Sequence, residues 1–344
     1  MMKVVDLFCG CGGMGLGFQQ AGFEIVYALD FDKYAVQSYR KNVGSHVIQG
    51  DIREVKGKDI PAADVWTFGF PCQDVSVAGK QAGMEVGTRS GLFYEVMRLL
   101  DERDDKPEVI MAENVKGLKP YLNVVEEEFA KRGYKTTITL YNSKYWGVPQ
   151  SRERYYIVGY RSKPVRMPLE LAVYDSKLLE ILEDNIPEKY FIQEDKARTI
   201  LERAAQLKSN PQDALVDKDG AAYCCTSRYY KGISPNSVGK SKDTHIVVAG
   251  RLDIKVQKDQ QARVYDPEGI SPTITAVSDG HHHVKIIEDL RVRRLTPREY
   301  ARLQGFPESY EIVVSDTQAY KQFGNSVTVP LVKAIAETIK AVLT

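Results

Sequence analysis

Cys72 stands where a cysteine can react. It falls in Gly69-Phe70-Pro71-Cys72-Gln73, just after the apolar run Asp64 to Phe68. A structural cysteine normally lies within such a run. This one follows the run, at a turn stiffened by Pro71 and continued by Gln73, Asp74 and Ser76. A thiol placed so is presented as a nucleophile. Glu113-Asn114-Val115 ends a second apolar run, and Gln150-Ser151-Arg152-Glu153-Arg154 opens a third. A nucleophile, an acid and two guanidinium groups therefore share one end of the same set of strands. Near the N-terminus, Gly10, Gly12 and Gly15 satisfy G-x-G-x-x-G after a strand and before a helix. Glycines let the backbone approach a ligand and leave N–H groups free at the helix start. Asp30 follows about 20 residues on, the spacing of a ribose-diol acceptor. Taken alone, this loop fits a dinucleotide, S-adenosylmethionine or a tight structural turn.

The elements that must position these groups alternate. Strands are expected at Lys3 to Phe8, Glu24 to Leu29, His46 to Gln49, Asp64 to Phe68 and Val109 to Ala112. Thr136 to Leu140 and Arg154 to Tyr160 read as two more, forming a hairpin-like edge. Between them Met14 to Ala21, Lys33 to Asn42, Leu92 to Asp101 and Leu122 to Arg132 carry apolar residues at helical spacing. Strand–helix alternation implies an α/β fold with a parallel sheet covered on both faces. Open sheets of this kind bind ligands at the carboxyl ends of their strands.

After about Pro168 the pattern becomes polar and turn-rich, with short β-type runs at His245 to Ala249 and Val284 to Ile287. Between Tyr223 and Arg263 eight Lys or Arg, among them Arg228, face three acids, and Tyr223, Tyr229 and Tyr230 are interleaved. That composition fits either a nucleic-acid face or a solvated loop region. After Ser315 an apolar helical pattern returns, at Val329 to Val342, and is expected to rejoin the first domain. The expected organisation is 1–168, 169–314 and 315–344.

Composition closes several alternatives. Charged residues at 27% and hydrophobic residues at 43% exclude a disordered chain. A net charge of +1 points to no partner by itself but leaves room for a local basic face. No run reaches the roughly 18 apolar residues of a membrane span, and the N-terminus lacks a signal peptide. The expectation is a soluble cytoplasmic protein. Five cysteines, none in zinc-ligand spacing, imply neither a disulfide framework nor a metal site. His281-His282-His283 reads as a polar loop tip.

Together the motifs resemble those of the DNA (cytosine-5) methyltransferases of bacterial restriction-modification systems. Asp6-Leu7-Phe8-Cys9-Gly10-Cys11-Gly12-Gly13, Ala28-Leu29-Asp30-Phe31-Asp32 and Gly50-Asp51-Ile52 resemble the three cofactor segments. Gly69 to Gln73, Glu113 to Val115 and Gln150 to Arg154 resemble the nucleophile, acid and arginine motifs. Arg294 to Glu299 with Gln304-Gly305-Phe306-Pro307, and then Gln322-Phe323-Gly324-Asn325-Ser326-Val327, resemble the last two. These eight segments come in the family's order along nearly the whole chain. Cys9 and Cys11 depart from the small or apolar residues common there. They read as fillers that leave the glycines intact.

The resemblance implies a Rossmann-like mixed sheet, with a smaller β or irregular target-recognition domain. It implies S-adenosylmethionine as cofactor and S-adenosylhomocysteine as product. Phe8 and Phe31 would flank the adenine, Asp30 would bind the ribose, and Asp51 and Ile52 the adenine edge. Gly10, Gly12, Pro71, Asn325, Ser326 and Val327 would complete that pocket. Cys72 would attack cytosine C6, Glu113 would protonate N3, Arg154 would contact O2, and Arg152 would support the intermediate or a phosphate. The cytosine must leave the stack to reach Cys72. Gln73 and Ser76 would close over it, Arg228 would hold phosphate, and Thr273, in Ser271-Pro272-Thr273-Ile274-Thr275, would lie near the target backbone. Double-stranded DNA is the implied partner. No membrane or obligate protein partner is expected, and a cognate restriction endonuclease, where one exists, would act separately. The competing readings are an RNA methyltransferase on the same scaffold, a NAD-dependent oxidoreductase and a catalytically dead DNA-binding module.

Overall fold

The computed structural model describes residues 1–70, 91–170, 176–191, 248–251, 263–265, 285–288 and 291–344. Seven strands form the main sheet: β1 (Lys3–Leu7), β2 (Glu24–Asp30), β3 (Val47–Gln49), β4 (Val65–Phe68), β5 (Val109–Val115), β6 (Lys135–Asn142) and β7 (Glu153–Tyr160). Their order is β3-β2-β1-β4-β5-β7-β6. The first five are parallel, and β7 runs antiparallel to both β5 and β6. The strand order reverses between β1 and β4, which opens a crevice at their carboxyl ends.

The expected antiparallel pair is present, but β7 is inserted between β5 and β6, so β6 is the edge strand on that side and β3 on the other. The sheet is therefore mixed, as the resemblance implies. β5 also runs three residues further than its apolar stretch suggests. Pairing with β7 carries it through Glu113, Asn114 and Val115. Ladder hydrogen bonds do not depend on side-chain polarity, so a polar strand end is invisible to an apolar-run criterion.

Alternate residues of each strand feed two cores. Val5, Leu7, Trp66, Phe68 and Ile110 meet Phe93, Val96, Leu100 and Phe129 of α3 (Leu92–Asp101) and α4 (Leu122–Ala130). Val4, Val65, Val109 and Met111 meet Phe18 of α1 (Gly13–Gln20) and Val332, Ile335 and Ile339 near the C-terminus. α2 (Lys33–Asn42) starts at Asp32, whose carboxylate accepts the Tyr34 N–H at 2.9 Å. A side-chain acceptor of this kind satisfies one of the four N–H groups a helix start leaves open.

Four short strands form a second sheet in the order β11-β10-β9-β8: β8 (Val248–Arg251), β9 (Arg263–Tyr265), β10 (Lys285–Glu288) and β11 (Arg291–Arg294). Phe191 bridges Arg293, so the two flanks of residues 192–292 meet. Three helices follow: α5 (Pro297–Leu303), α6 (Asp316–Asn325) and α7 (Val329–Leu343). α7 lies against α1, where a Cβ at Gly17 would come within 2.5 Å of Val332. Among the described residues, no helix is long and apolar enough to cross a membrane.

Candidate active site

The glycine loop leaves β1 through Phe8, at φ 53, and Gly10 and Gly12, at φ +54 and +96. These left-handed angles suit glycine. A Cβ on Gly12 would strike Val43 at 2.4 Å, whereas one on Gly10 would meet nothing within 4 Å. Gly10 thus faces open space, with its N–H donating to Asp30 Oδ2 at 2.8 Å. The other Asp30 oxygen accepts the Asp32 N–H, also at 2.8 Å. Each carboxylate oxygen keeps a second acceptor site, enough for a ribose diol. Phe31, next in the chain, is 73% exposed. An uncovered aromatic, a fixed carboxylate and open backbone at a helix start fit S-adenosylmethionine. Asp51 is braced by the Arg53 guanidinium, and Ile52 is buried beneath it.

Asp6, on β1, points into the α1 side of the sheet and is almost wholly buried. Its Oδ1 accepts from Thr67 at 3.1 Å. Its Oδ2 has no hydrogen-bond partner, and lies 3.1 Å from where a Gly15 Cβ would be. Burial pushes its carboxyl up to about 7, against the pull of the Thr67 hydrogen bond and with Asp30 adding to the rise. Cys9 and Cys11 are buried too. Burial pushes Cys11 up to about 12 and Cys9 well above its usual value.

At the far side of the crevice, antiparallel register sets Glu113 opposite Tyr156 and Val115 opposite Arg154. Residues two apart share a face, so Glu113 and Arg154 are diagonal neighbours. Their Oε1 and Nε approach to 3.3 Å, an ion contact without hydrogen-bond alignment, and Glu113 Oε1 has no hydrogen bond. Burial raises the Glu113 carboxyl, while Arg154 and Arg152 pull it down. A Cβ on Gly69 would sit 3.6 Å from Glu113 Oε2. Asn114 Nδ2 donates to the Phe70 carbonyl at 3.1 Å. The acid is thereby held beside the chain that leads into Pro71 and Cys72.

Arg152 takes a different place from Arg154. Its NH2 donates to the Ser326 carbonyl at 2.7 Å, and both terminal nitrogens reach the Gly324 carbonyl at 3.3 Å. It therefore ties the arginine segment to the C-terminal segment. Ser326 and Val327 in turn cover Gly13, where a Cβ would lie 2.3 Å and 3.2 Å from them. Asn325 beside them is exposed. Pro71, Cys72, Gln73, Ser76, Arg228 and Thr273 lie outside the described residues, as does the triple histidine. Among the described residues, no cluster of His, Cys, Asp or Glu could hold a metal ion.

Sequence reasoning gave no role to Asp6, Ser143 or Thr328. It matched Gln150 and Gln304 only as motif letters. Their one signal is type: polar side chains inside otherwise apolar surroundings.

The family model for C-5 cytosine-specific DNA methylases matches residues 2–341. The chain belongs to that family. It is 34% identical to the type II methyltransferase M.NlaX of Neisseria lactamica over 100% of this chain and 97% of that one. It is 31% identical to M.HhaI of Haemophilus parahaemolyticus, over 98% and 94%. Among solved structures, a putative DNA modification methyltransferase encoded within an Escherichia coli prophage superposes with a TM-score of 0.65 at 22% identity, over 100% of this chain and 99% of that one. The Dnmt2 methyltransferase of S. pombe gives 0.66 at 20%, over 100% and 98%. The protein is thus a DNA cytosine-5 methyltransferase on a Rossmann-like mixed sheet. This family membership sets aside the oxidoreductase reading of the glycine loop.

Proposed function

We propose that the protein transfers the methyl group of S-adenosylmethionine to C5 of a cytosine in a specific DNA sequence, through a covalent bond between Cys72 and C6. The observation that carries this reading is the juxtaposition of Glu113 and Arg154 beside Gly69 and Phe70, which lead directly to Cys72. Cytosine C5 is a weak nucleophile. Addition of the Cys72 thiolate to C6 makes it an enamine carbon, provided the ring charge is met. Glu113 meets it by giving its proton to N3. Its burial favours the protonated form that the step requires. Arg154 holds O2 and the Glu113 carboxylate that remains. S-adenosylmethionine, when bound, supplies an electrophilic methyl group for C5. A base, for which water serves, takes the C5 proton; this expels the Cys72 thiolate and restores the C5–C6 double bond, and Glu113 recovers its proton from N3.

Phe8, Phe31, Asp30, Asp51, Ile52, Gly10 and Gly12 would hold the cofactor, with Pro71, Asn325, Ser326 and Val327 completing the wall. Cys72 cannot reach C6 inside a stacked duplex, so the base must turn out, at a cost of a few kcal/mol. Gln73 and Ser76 close over it. Residues 169–314 form the recognition region between the cofactor domain, 1–168, and the returning segment, 315–344. Arg228 and its basic neighbours hold phosphates, and Thr273 meets the target backbone. The protein acts as a monomer on double-stranded DNA in the bacterial cytosol, without an obligate protein partner. A cognate endonuclease would act separately.

The test is bisulfite sequencing of a methylation-free, sequence-diverse DNA pool after incubation with protein and S-adenosylmethionine. Protected cytosines in one short sequence context are expected. Uniform conversion with cofactor binding intact would redirect the assignment to RNA. A duplex carrying 5-fluorocytosine at the target should trap the wild-type protein irreversibly. Cys72→Ala should lose both trapping and turnover, and a Cys72→Ala protein that still methylates would overturn the covalent mechanism.

A further inference from the structure

The amide of Gln304, at the end of α5, is fully buried between two walls of the crevice. Nε2 donates to the Phe323 carbonyl at 2.8 Å and more weakly to Ser326 at 3.4 Å. Oε1 accepts from Gln150 Nε2 at 3.2 Å and from Thr328 Oγ1 at 3.3 Å. Both donors and both acceptor sites of the amide are used. Its backbone carbonyl also accepts the Val329 N–H at 2.9 Å. Gln150 opens the arginine segment and is itself anchored to the Leu303 carbonyl at 2.8 Å. Thr328 Oγ1, donating to Gln304, accepts from Ser143 Oγ at 2.6 Å, and the Ser143 backbone N–H donates to the Arg152 carbonyl at 2.9 Å. Arg152 closes the circuit on Ser326.

We propose that Gln304 is a positioning residue that couples the cofactor wall, Ser326 and Val327, to the arginine segment at the base pocket, so that cofactor and DNA strengthen each other's binding through it. The inference rests on the function proposed above. A buried amide with four fixed partners permits one arrangement of the segments it joins and penalises any that leaves a partner unsatisfied. A ligand that orders Ser326–Val327 therefore also favours the geometry that holds Arg152 and, two residues on, Arg154. Such coupling is reciprocal: each ligand raises the other's affinity by the same factor. Gln304→Met keeps the volume and removes all four hydrogen bonds.

The experiment measures Kd for a duplex containing the methylation site, with and without saturating S-adenosylhomocysteine. It is done on wild-type protein, Gln304→Met and the milder Thr328→Val, with Tm recorded for each. Wild type should bind the duplex at least ~10-fold more tightly with the product cofactor, within the typical range of such couplings. In Gln304→Met that ratio should fall towards one, while the affinity for S-adenosylhomocysteine alone stays within about threefold. Thr328→Val should give an intermediate ratio and serves if Gln304→Met fails to fold. A lowered Tm with an unchanged ratio would make Gln304 a packing residue and overturn the inference. So would a wild-type protein that methylates DNA with no coupling at all. A wild-type protein that binds the cofactor but methylates no DNA would instead sink the function on which the inference rests.

Discussion

At the end of β2, both oxygens of Asp30 already accept backbone N–H groups, and Gly12 is locked against Val43. At the end of β5, across β1 and β4, Glu113 Oε1 has no hydrogen bond, and Arg154 touches the acid without alignment. On the glycine-loop side, Asp30 and Gly12 are held in place by the chain itself, while on the β5 side Glu113 Oε1 keeps an unused acceptor. Binding a ligand of constant shape favours a rigid cradle. A group that must exchange a proton needs an environment in which neither charge state is locked in. Glu113 has that balance, with burial on one side and two arginines on the other.

The contrast breaks most visibly at Glu113. Glu113→Gln should lower kcat by roughly 10²–10⁴-fold, the usual range for a general acid, while titration calorimetry finds cofactor affinity unchanged. An unaltered kcat would place the proton elsewhere. Because burial raises this carboxyl, wild-type kcat should fall as pH climbs through its raised pKa, and the pH–rate profile of Glu113→Gln should lose that limb.

Asp6 sharpens the comparison, since it is a buried acid on the cofactor side. Its carboxyl is raised from 3.8 to about 7. The stability it contributes is therefore present below about pH 4 and lost as pH rises to about 7, a change on the order of a few kcal/mol. Urea unfolding of Asp6→Asn and wild type across that window should show the difference. Parallel pH curves for the two proteins would refute it.

Smaller effects belong to the rigid cradle. Gly12→Ala forces a side chain into φ +96 and onto Val43, and should cost about 1–3 kcal/mol in thermal unfolding. Asp30→Ala should weaken S-adenosylmethionine about tenfold, near the ~1.5 kcal/mol of a hydrogen bond to a charged group. It should leave kcat at saturating cofactor nearly intact. A large loss in kcat instead would erase the distinction between the two halves.

Most of the main sheet was legible because its strands and helices each carry their own period, from Lys3–Leu7 through Lys33–Asn42 to Val329–Leu343. Glu113 and Arg154 were legible through their motifs, while their pairing on one face came from the β5–β7 register. What was not legible involves partners far apart in the chain. The insertion of β7 beside β5 is one case, since pairing order is not written in either strand. Arg152 is another: the family resemblance implied the intermediate or a phosphate, and its partners include carbonyls 172 and 174 residues away.

Sequence by itself determined the residue types available: a cysteine after a proline turn, an acid, two arginines and a glycine loop, in an order that matches one family. Local rules suffice for that, because residue type, turn chemistry and periodicity act within a few positions. Only the tertiary structure decided how those groups are divided. It set Asp30 as satisfied and Glu113 as unsatisfied, gave Arg154 the acid and Arg152 the C-terminal backbone, and buried Gln304 between them. The reason is physical: burial and hydrogen-bond completion depend on which segments meet in space, and no stretch of chain carries that information alone.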